Sequence, residues 1–195
     1  EARIVSGVEE AQISVRATQG AFPDLSQFIM VDLGGASTEF VRVGEDWQSA
    51  PISIDVGAVS LTDAHFARCE NAQAIAQARA AARAHYAPAV VRCRPPVEVA
   101  EKDLGAVPLV LISGTATALA SLHLKQVQYS AELVHGSRLS RHDIVELIEC
   151  LAALSVAERR VLPGLDPKRA DVILSGALLV EAILEVFSVH QGVVS

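Results

Sequence analysis

The stretch Val31-Asp32-Leu33-Gly34-Gly35-Ala36-Ser37-Thr38-Glu39 decides how this chain folds. An apolar run, Phe28-Ile29-Met30-Val31, leads into an acidic residue; small residues, two hydroxyls and a second carboxylate follow. A β-prone run, Phe40-Val41-Arg42-Val43, then resumes. The pattern reads as strand, tight turn, strand. Such a turn can set backbone N–H groups and hydroxyls around a phosphate. Asp32 and Glu39 flank it and are placed to hold a divalent cation beside that phosphate. The plainer reading is an ordinary hairpin between two core strands. The flanking acids favour the first reading, because a carboxylate at the end of a buried strand destabilises the fold unless solvated or paired.

Around this centre lie 195 residues, 51% of them hydrophobic, enough for one domain with a substantial core. Aromatic residues make up only 4%, so Ala, Val, Leu and Ile must fill that core. A net charge of −7 argues against a broad nucleic-acid-binding surface. Cys69, Cys93 and Cys150 lie far apart without C-x-x-C spacing and read as reduced thiols of a cytoplasmic protein. No apolar run reaches the roughly 18 residues of a membrane span, and Glu1-Ala2-Arg3 opens no signal peptide. The expectation is a soluble cytoplasmic chain with neither nucleic acid nor membrane as partner. It starts without Met, as a fragment of a longer protein would.

Ser6-Gly7-Val8-Glu9 fits a capping box, with a short helix following to about Thr18 and ending near Gly20. Three strands are expected at 28–32, 39–43 and 51–55, and a short helix at Leu61–Phe66. Residues 71–93 are rich in Ala and predict a long helix ending near Pro88. Cys93 through Pro108 reads as a loop because Arg94-Pro95-Pro96 forbids regular structure. Leu109-Val110-Leu111-Ile112 is a buried strand, and Ala116–Leu124 a helix. Ser140 caps another helix whose apolar stripe is Ile144, Leu147, Ile148 and Leu151. A last helix, from about Lys168 to Phe187, is apolar nearly all round and should lie centrally. All of this describes one α/β domain.

Ile112-Ser113-Gly114-Thr115-Ala116-Thr117 repeats the strand-into-glycine-turn theme, here opening a helix whose free N–H groups, with the hydroxyls of Thr115 and Thr117, make a second anion seat. A plain strand–helix junction with a Thr cap is the alternative, and the absence of a Lys excludes a Walker loop. Glu10 beside Glu9 reads, on the residues alone, as part of a solvated helix face near a positive helix end. The six histidines show no metal-ligand spacing, and His135 reads as structural. Arg138, Arg141, Arg159, Arg160, Lys168 and Arg169 gather positive charge in the C-terminal third, mostly as surface charge, with a few available to a polyanion path.

Five segments then line up with known motifs. Val5-Ser6-Gly7-Val8-Glu9-Glu10-Ala11 resembles an SGxEEA segment, Val31–Phe40 a DIGGGSTE motif and Ile112–Leu119 a GTATTLA motif. His135-Gly136-Ser137-Arg138-Leu139-Ser140 and Ala170-Asp171-Val172-Ile173-Leu174-Ser175-Gly176-Ala177 match two more. Together, and in this order, they resemble the exopolyphosphatase/guanosine pentaphosphate phosphatase (Ppx/GppA) family along nearly the whole chain. The resemblance implies a ribonuclease H-like domain of the actin-like ATPase superfamily, with a mixed sheet and helices on both faces. It implies that residues 1–195 form one domain, the second of two halves that close over a substrate, with the first half absent. The implied reaction is hydrolysis of a terminal phosphoanhydride of inorganic polyphosphate or guanosine pentaphosphate, releasing orthophosphate.

The same resemblance assigns roles. Glu10 becomes the base that activates water, against its bland reading above. Asp32 and Glu39 become ligands of Mg²⁺ or another divalent cation. Gly34, Gly35, Ala36, Ser37 and Thr38 form one phosphate loop, and Gly114, Thr115 and Ala116 the second. The implied partners are the first-half domain of the same protein and, through the exposed cleft face, a second copy in a homodimer. Two positions depart from the pattern. Ala36 replaces a third glycine, which strains the turn by on the order of 1 kcal/mol if φ is positive there and is harmless if φ is negative. Ser60, in Gly57-Ala58-Val59-Ser60-Leu61-Thr62, stands where many relatives carry Arg, which removes a positive charge from near the cleft. Two other readings compete with the hydrolase: a module that binds polyphosphate or an alarmone, or pairs subunits, without turnover; and a sugar or acetate kinase, disfavoured by the single glycine of Leu174-Ser175-Gly176-Ala177.

Overall fold

The computed structural model describes residues 7–67, 69–94 and 107–195, with side chains from residue 9 onward. Its centre is a hairpin. β1 (Phe28–Leu33) and β2 (Thr38–Val43) pair antiparallel, with Val31 opposite Phe40 and Asp32 opposite Glu39. β3 (Ile52–Ile54) extends the sheet antiparallel beyond β2. On the other side β4 (Leu109–Ile112) lies parallel to β1, and β6 (Gln191–Val194) parallel to β4. β5 (Arg138–Ser140) closes that edge antiparallel, giving the order β3-β2-β1-β4-β6-β5. The sheet is mixed, as expected.

Strand alternation divides the core in two. Phe28 and Met30 of β1, with Val41, Val43 and Val110, face α1 (Gly7–Ala21), which covers them with Ala11 and Val15. Ile29, Val31 and Leu33 face the larger core on the opposite side. There α8 (Ile173–Val186) is buried on every side from Ile173 to Leu184, enclosed by α2 (Ala58–His65), α3 (Ala72–Arg92), α4 (Gly114–His123) and α6 (Arg141–Ala152). α3 packs against α8, and its buried face is Ala74, Ala78, Ala82, Tyr86 and Ala89, spaced three or four residues apart and Ala at all but one position. Glu181, the acid in this apolar helix, is only 3% exposed and is held by the Arg79 Nε at 2.7 Å. The remaining short helices, α5 (Ala131–Val134) and α7 (Val156–Arg159), pack on the same core.

Several boundaries differ from expectation. α3 does not end near Pro88 but continues to Arg92, because Pro88 and Ala84 are exposed and the carbonyl deprived of its helical donor faces water. Buried Ala89 and Cys93 anchor that last turn. The terminal helix starts at Ile173 rather than near Lys168. Pro167–Arg169 instead form a separate 3₁₀ turn, which Asp166 caps by accepting from the Lys168 N–H at 3.0 Å. Ser140 caps α6 as read, accepting from the Asp143 N–H at 3.1 Å while Asp143 reaches back. Ser6, and residues 95–106 of the expected loop after Cys93, lie outside the described residues. Among the described residues no helix is long and apolar enough to cross a membrane.

Pro88→Ala restores an N–H to the Ala84 carbonyl. Set against the added freedom of the unfolded chain, the net gain should be about 1 kcal/mol, raising Tm by roughly 3 °C for a chain of this length. A scanning-calorimetry Tm equal to or below that of the parent would mean that the break serves the fold.

Candidate active site

The turn between β1 and β2 is built from its inner side. The Gly34 N–H donates to the Ser37 carbonyl at 3.0 Å, which closes it. The carbonyls of Gly34 and Gly35 face α2, accepting from the N–H groups of Ala58 (3.0 Å), Val59 (2.8 Å) and Ser60 (3.1 Å). These are the donors that a helix start leaves without partners. Gly57 makes the approach possible, since a Cβ there would sit 2.6 Å from the Gly34 carbonyl oxygen. The outer rim, Gly35 and Ala36, is exposed to solvent. Among the described residues positive φ outside glycine occurs only at Ser113, Lys125 and Ser188, so Ala36 carries no left-handed strain and is harmless in place of glycine. Ser60 lies against the turn: its Oγ accepts from the Gly57 N–H at 2.8 Å and reaches the Ala36 carbonyl at 3.5 Å.

Thr38 departs from the role expected of it. It is fully buried, and its hydroxyl donates to the Val56 carbonyl at 2.7 Å and meets the Tyr86 hydroxyl at 2.7 Å. That side chain belongs to the core and has no hydrogen left for a ligand.

Asp32 and Glu39 are direct cross-strand partners on the α1 side of the sheet. Burial pushes the Asp32 carboxyl up to about 6, and the negative charges of Glu39 and Glu10 add to the shift. Glu10, exposed on α1, is therefore close enough for its charge to be felt at Asp32. Ser53 Oγ donates to Glu39 Oε1 at 2.9 Å. Among the described residues no three His, Cys, Asp or Glu side chains converge as a metal cage. Two carboxylates suffice, however, where phosphate oxygens and water complete an Mg²⁺ shell, and a crowded acid held partly protonated is the donor set a divalent cation relieves.

The parallel pairing of β1 and β4 sets Asp32 opposite Ile112, so the turns that follow both strands leave the sheet at one edge. At the second turn Ser113 takes φ 128°, a left-handed conformation that costs a serine on the order of 1–3 kcal/mol and is met mostly at functional sites. Its Oγ accepts from the N–H groups of Thr115 (3.2 Å) and Ala116 (3.4 Å). Those two donors, expected to be free, are thus already engaged. Thr117 Oγ1 donates to the Gly114 carbonyl at 3.3 Å. Thr115 is buried with its methyl against Gly176. The Arg169 guanidinium covers Gly114 so closely that a Cβ there would have to displace it. A cavity of about 360 Å³ opens beside it, bordered by Thr117, Tyr129, Asp166 and Arg169. Among the scattered C-terminal cations, Arg169 is thus the one brought to the second turn. His135 has its ring 4.8 Å from that of Phe22 and its Nδ1 3.4 Å from Ser195 Oγ, consistent with a structural role.

Residues 1–195 match the Ppx/GppA phosphatase family along their entire length. The chain belongs to that family. It is similar to exopolyphosphatase 2 of Mycobacterium tuberculosis, 33% identical over 198 residues that cover 98% of this chain and 58% of the relative. It is also 30% identical over 192 residues to the guanosine-5'-triphosphate,3'-diphosphate pyrophosphatase of Aeromonas salmonicida, covering 96% of this chain and 35% of that protein. The chain spans little more than half the length of the first of these. The crystal structure of the Aquifex aeolicus member of the Ppx/GppA family superposes with a TM-score of 0.81 at 23% identity, over 99% of this chain and 60% of that one. The fold is therefore the ribonuclease H-like, actin-like one that the resemblance implies.

Asp32 yields a prediction about this Ppx/GppA domain without any substrate. Its folded carboxyl titrates near 6 and the unfolded one near 3.8, so the native state holds the proton more tightly and stability falls as pH rises through that window. Without divalent cation, Asp32→Asn should exceed wild type in stability above pH 6, by on the order of 1 kcal/mol after allowing for solvent contact, and the gap should vanish near pH 4. Urea midpoints in chelator at both pH values measure it. A gap independent of pH would contradict the electrostatic reading.

Proposed function

We propose that the protein containing this chain hydrolyses the terminal phosphoanhydride of a polyphosphate chain or of guanosine pentaphosphate, releasing orthophosphate. The observation that carries this is the single sheet edge where two glycine turns sit side by side, with Asp32, Glu39 and Glu10 together on the α1 side. The names of the relatives, one an exopolyphosphatase and the other a guanosine-5'-triphosphate,3'-diphosphate pyrophosphatase, support the substrate class. On this reading the outward N–H groups of the first turn and the Arg169 guanidinium hold phosphoryl oxygens. Asp32 and Glu39 hold Mg²⁺, which supplies charge neutralisation at the transferred group. Glu10 accepts a proton from water as its oxygen attacks the terminal phosphorus, and the bond to the bridging oxygen breaks with the electron pair leaving on the shortened chain. Little covalent work falls to the protein, so positioning and charge carry the rate.

The chain also reads as the second half of a two-half clamp, its first half lying elsewhere in the protein. Two expectations follow, both checked by phosphate release from long-chain polyphosphate with Mg²⁺. Glu10→Gln in the intact protein should lower kcat by about 10²–10³ while calorimetric affinity for polyphosphate stays within a few-fold, since the amide keeps the shape and loses the base. Unchanged kcat would remove Glu10 from the mechanism, and a wild type that binds without turnover would favour the binding-module reading. The isolated 195-residue chain should release phosphate far more slowly than the intact protein. Equal rates would end the two-half proposal.

A further inference from the structure

Tyr86 lies on α3, in a different part of the sequence from both turns, and is fully buried. Its ring is held edge-on by Phe40 at 5.3 Å between centroids. The direction of its hydrogen bond follows from counting protons. Thr38 has one hydroxyl hydrogen, and the Val56 carbonyl, which can only accept, takes it at 2.7 Å. Tyr86 must therefore donate to Thr38 Oγ1 at 2.7 Å, making a directed relay from Tyr86 through Thr38 to Val56. The two acceptors of this relay border the first turn and the helix that caps it. Thr38 follows Ser37 directly and begins β2, which fixes where the turn ends. Val56 directly precedes Gly57, the residue whose bare Cα lets α2 close on the Gly34 and Gly35 carbonyls. One buried hydroxyl thus determines where the turn leaves the strand and where the helix that caps it begins.

We infer that Tyr86 is a positioning residue for the first phosphate turn, acting through Thr38. The inference rests on the hydrolase reading above. Removing the phenol hydroxyl leaves the Thr38 lone pair without its donor and frees the turn to shift, and small misplacements of oxyanion donors lower rates steeply. A residue that served only the core would behave differently. Its loss would loosen α3 and the sheet together and leave the turnover of each folded molecule unchanged well below Tm.

The test compares wild type, Tyr86→Phe, Thr38→Ser and Thr38→Val in the intact protein by hydrogen-exchange mass spectrometry and by Mg²⁺-dependent phosphate release from long-chain polyphosphate. Tyr86→Phe and Thr38→Val should speed exchange about tenfold in peptides spanning 33–41 and leave those of β4 and α8 as in wild type. Both should lower kcat about tenfold with KM within about twofold, while Thr38→Ser, which keeps the hydroxyl and loses a buried methyl, stays near wild type in kcat despite a lower Tm. Unchanged exchange across 33–41 in folded Tyr86→Phe overturns the inference, as does faster exchange with wild-type kcat and KM. If Tyr86→Phe fails to fold, the contrast between Thr38→Ser and Thr38→Val decides in its place. If wild type releases no phosphate, the hydrolase reading falls and exchange alone decides whether Tyr86 holds the turn.

Discussion

Three hydrogen bonds, from the N–H groups of Ala58, Val59 and Ser60 to the carbonyls of Gly34 and Gly35, organise this domain. They solve two problems at once. A helix start is left with donors that must be satisfied, and a four-residue turn between buried strands is left with carbonyls that must be satisfied. Meeting each other inside, they leave the solvent side of the turn to exposed Gly35 and Ala36. The glycines follow from this closeness: Gly57 because α2 approaches within contact of the turn, Gly35 because a Cβ there would press on Val59 at 3.2 Å. The two turns are then linked through the core. Ala58 of α2 and Thr115 after β4 meet at Gly176 of α8, and Thr62 Oγ1 lies 2.6 Å from Ser175 Oγ. Central burial of α8 is thereby also a way of holding two solvent-facing turns in fixed relation.

Much of this was legible in the residues, and the reasons are physical. The hairpin of β1 and β2 was readable because apolar alternation, a run of small residues and a resumed β-prone segment agree locally. The buried course of α8 was readable because twelve consecutive residues from Ile173 to Leu184 contain one charge, Glu181. β5 and β6 were not. Each is short, Gln191-Gly192-Val193-Val194 carries a glycine, and β6 is paired by β4, distant in sequence, with β5 in turn pairing on β6. Gly192 is there because a Cβ would meet Leu111 Cδ1 at 2.7 Å, a constraint visible only after the sheet assembles. The helix past Pro88 failed for a related reason: a proline's cost depends on whether the orphaned carbonyl faces water, and that is a property of the fold.

The site divides along the same line. Asp32, Glu39 and the glycines between them could be proposed from the sequence because turn chemistry is local. Glu10 is exposed, as a solvated helix face would be, yet α1 lies across the same side of the sheet and the Glu10 charge is felt by Asp32. Thr38 was misread in the opposite sense. Standing next to Ser37 it resembled a second phosphate hydroxyl, but strand alternation turns it to the Phe40 side, where Tyr86 and Val56 take both of its hydrogen-bonding capacities. Arg169 carried no local signal. It reaches Gly114 because the 3₁₀ turn Pro167–Arg169 separates it from α8 and lets it lie over the second turn.

Charge gives the proposed reaction its sharpest constraint. On one side of the sheet edge stand Asp32, Glu39 and Glu10, where burial first and the neighbouring charges second make Asp32 hold its proton to about pH 6. On the other stands Arg169, while Ser60 is uncharged and spends its hydroxyl on the Gly57 N–H and the Ala36 carbonyl. A polyanionic chain entering this edge would meet more negative than positive charge. Backbone N–H groups orient oxyanions but supply only partial charges, which cannot offset three carboxylates. A divalent cation between Asp32 and Glu39 would lower the Asp32 pKa, cancel the repulsion and present a positive face to the phosphate in one step. The cation thereby removes the repulsion that phosphate would meet, so each of the two should bind more tightly once the other is present.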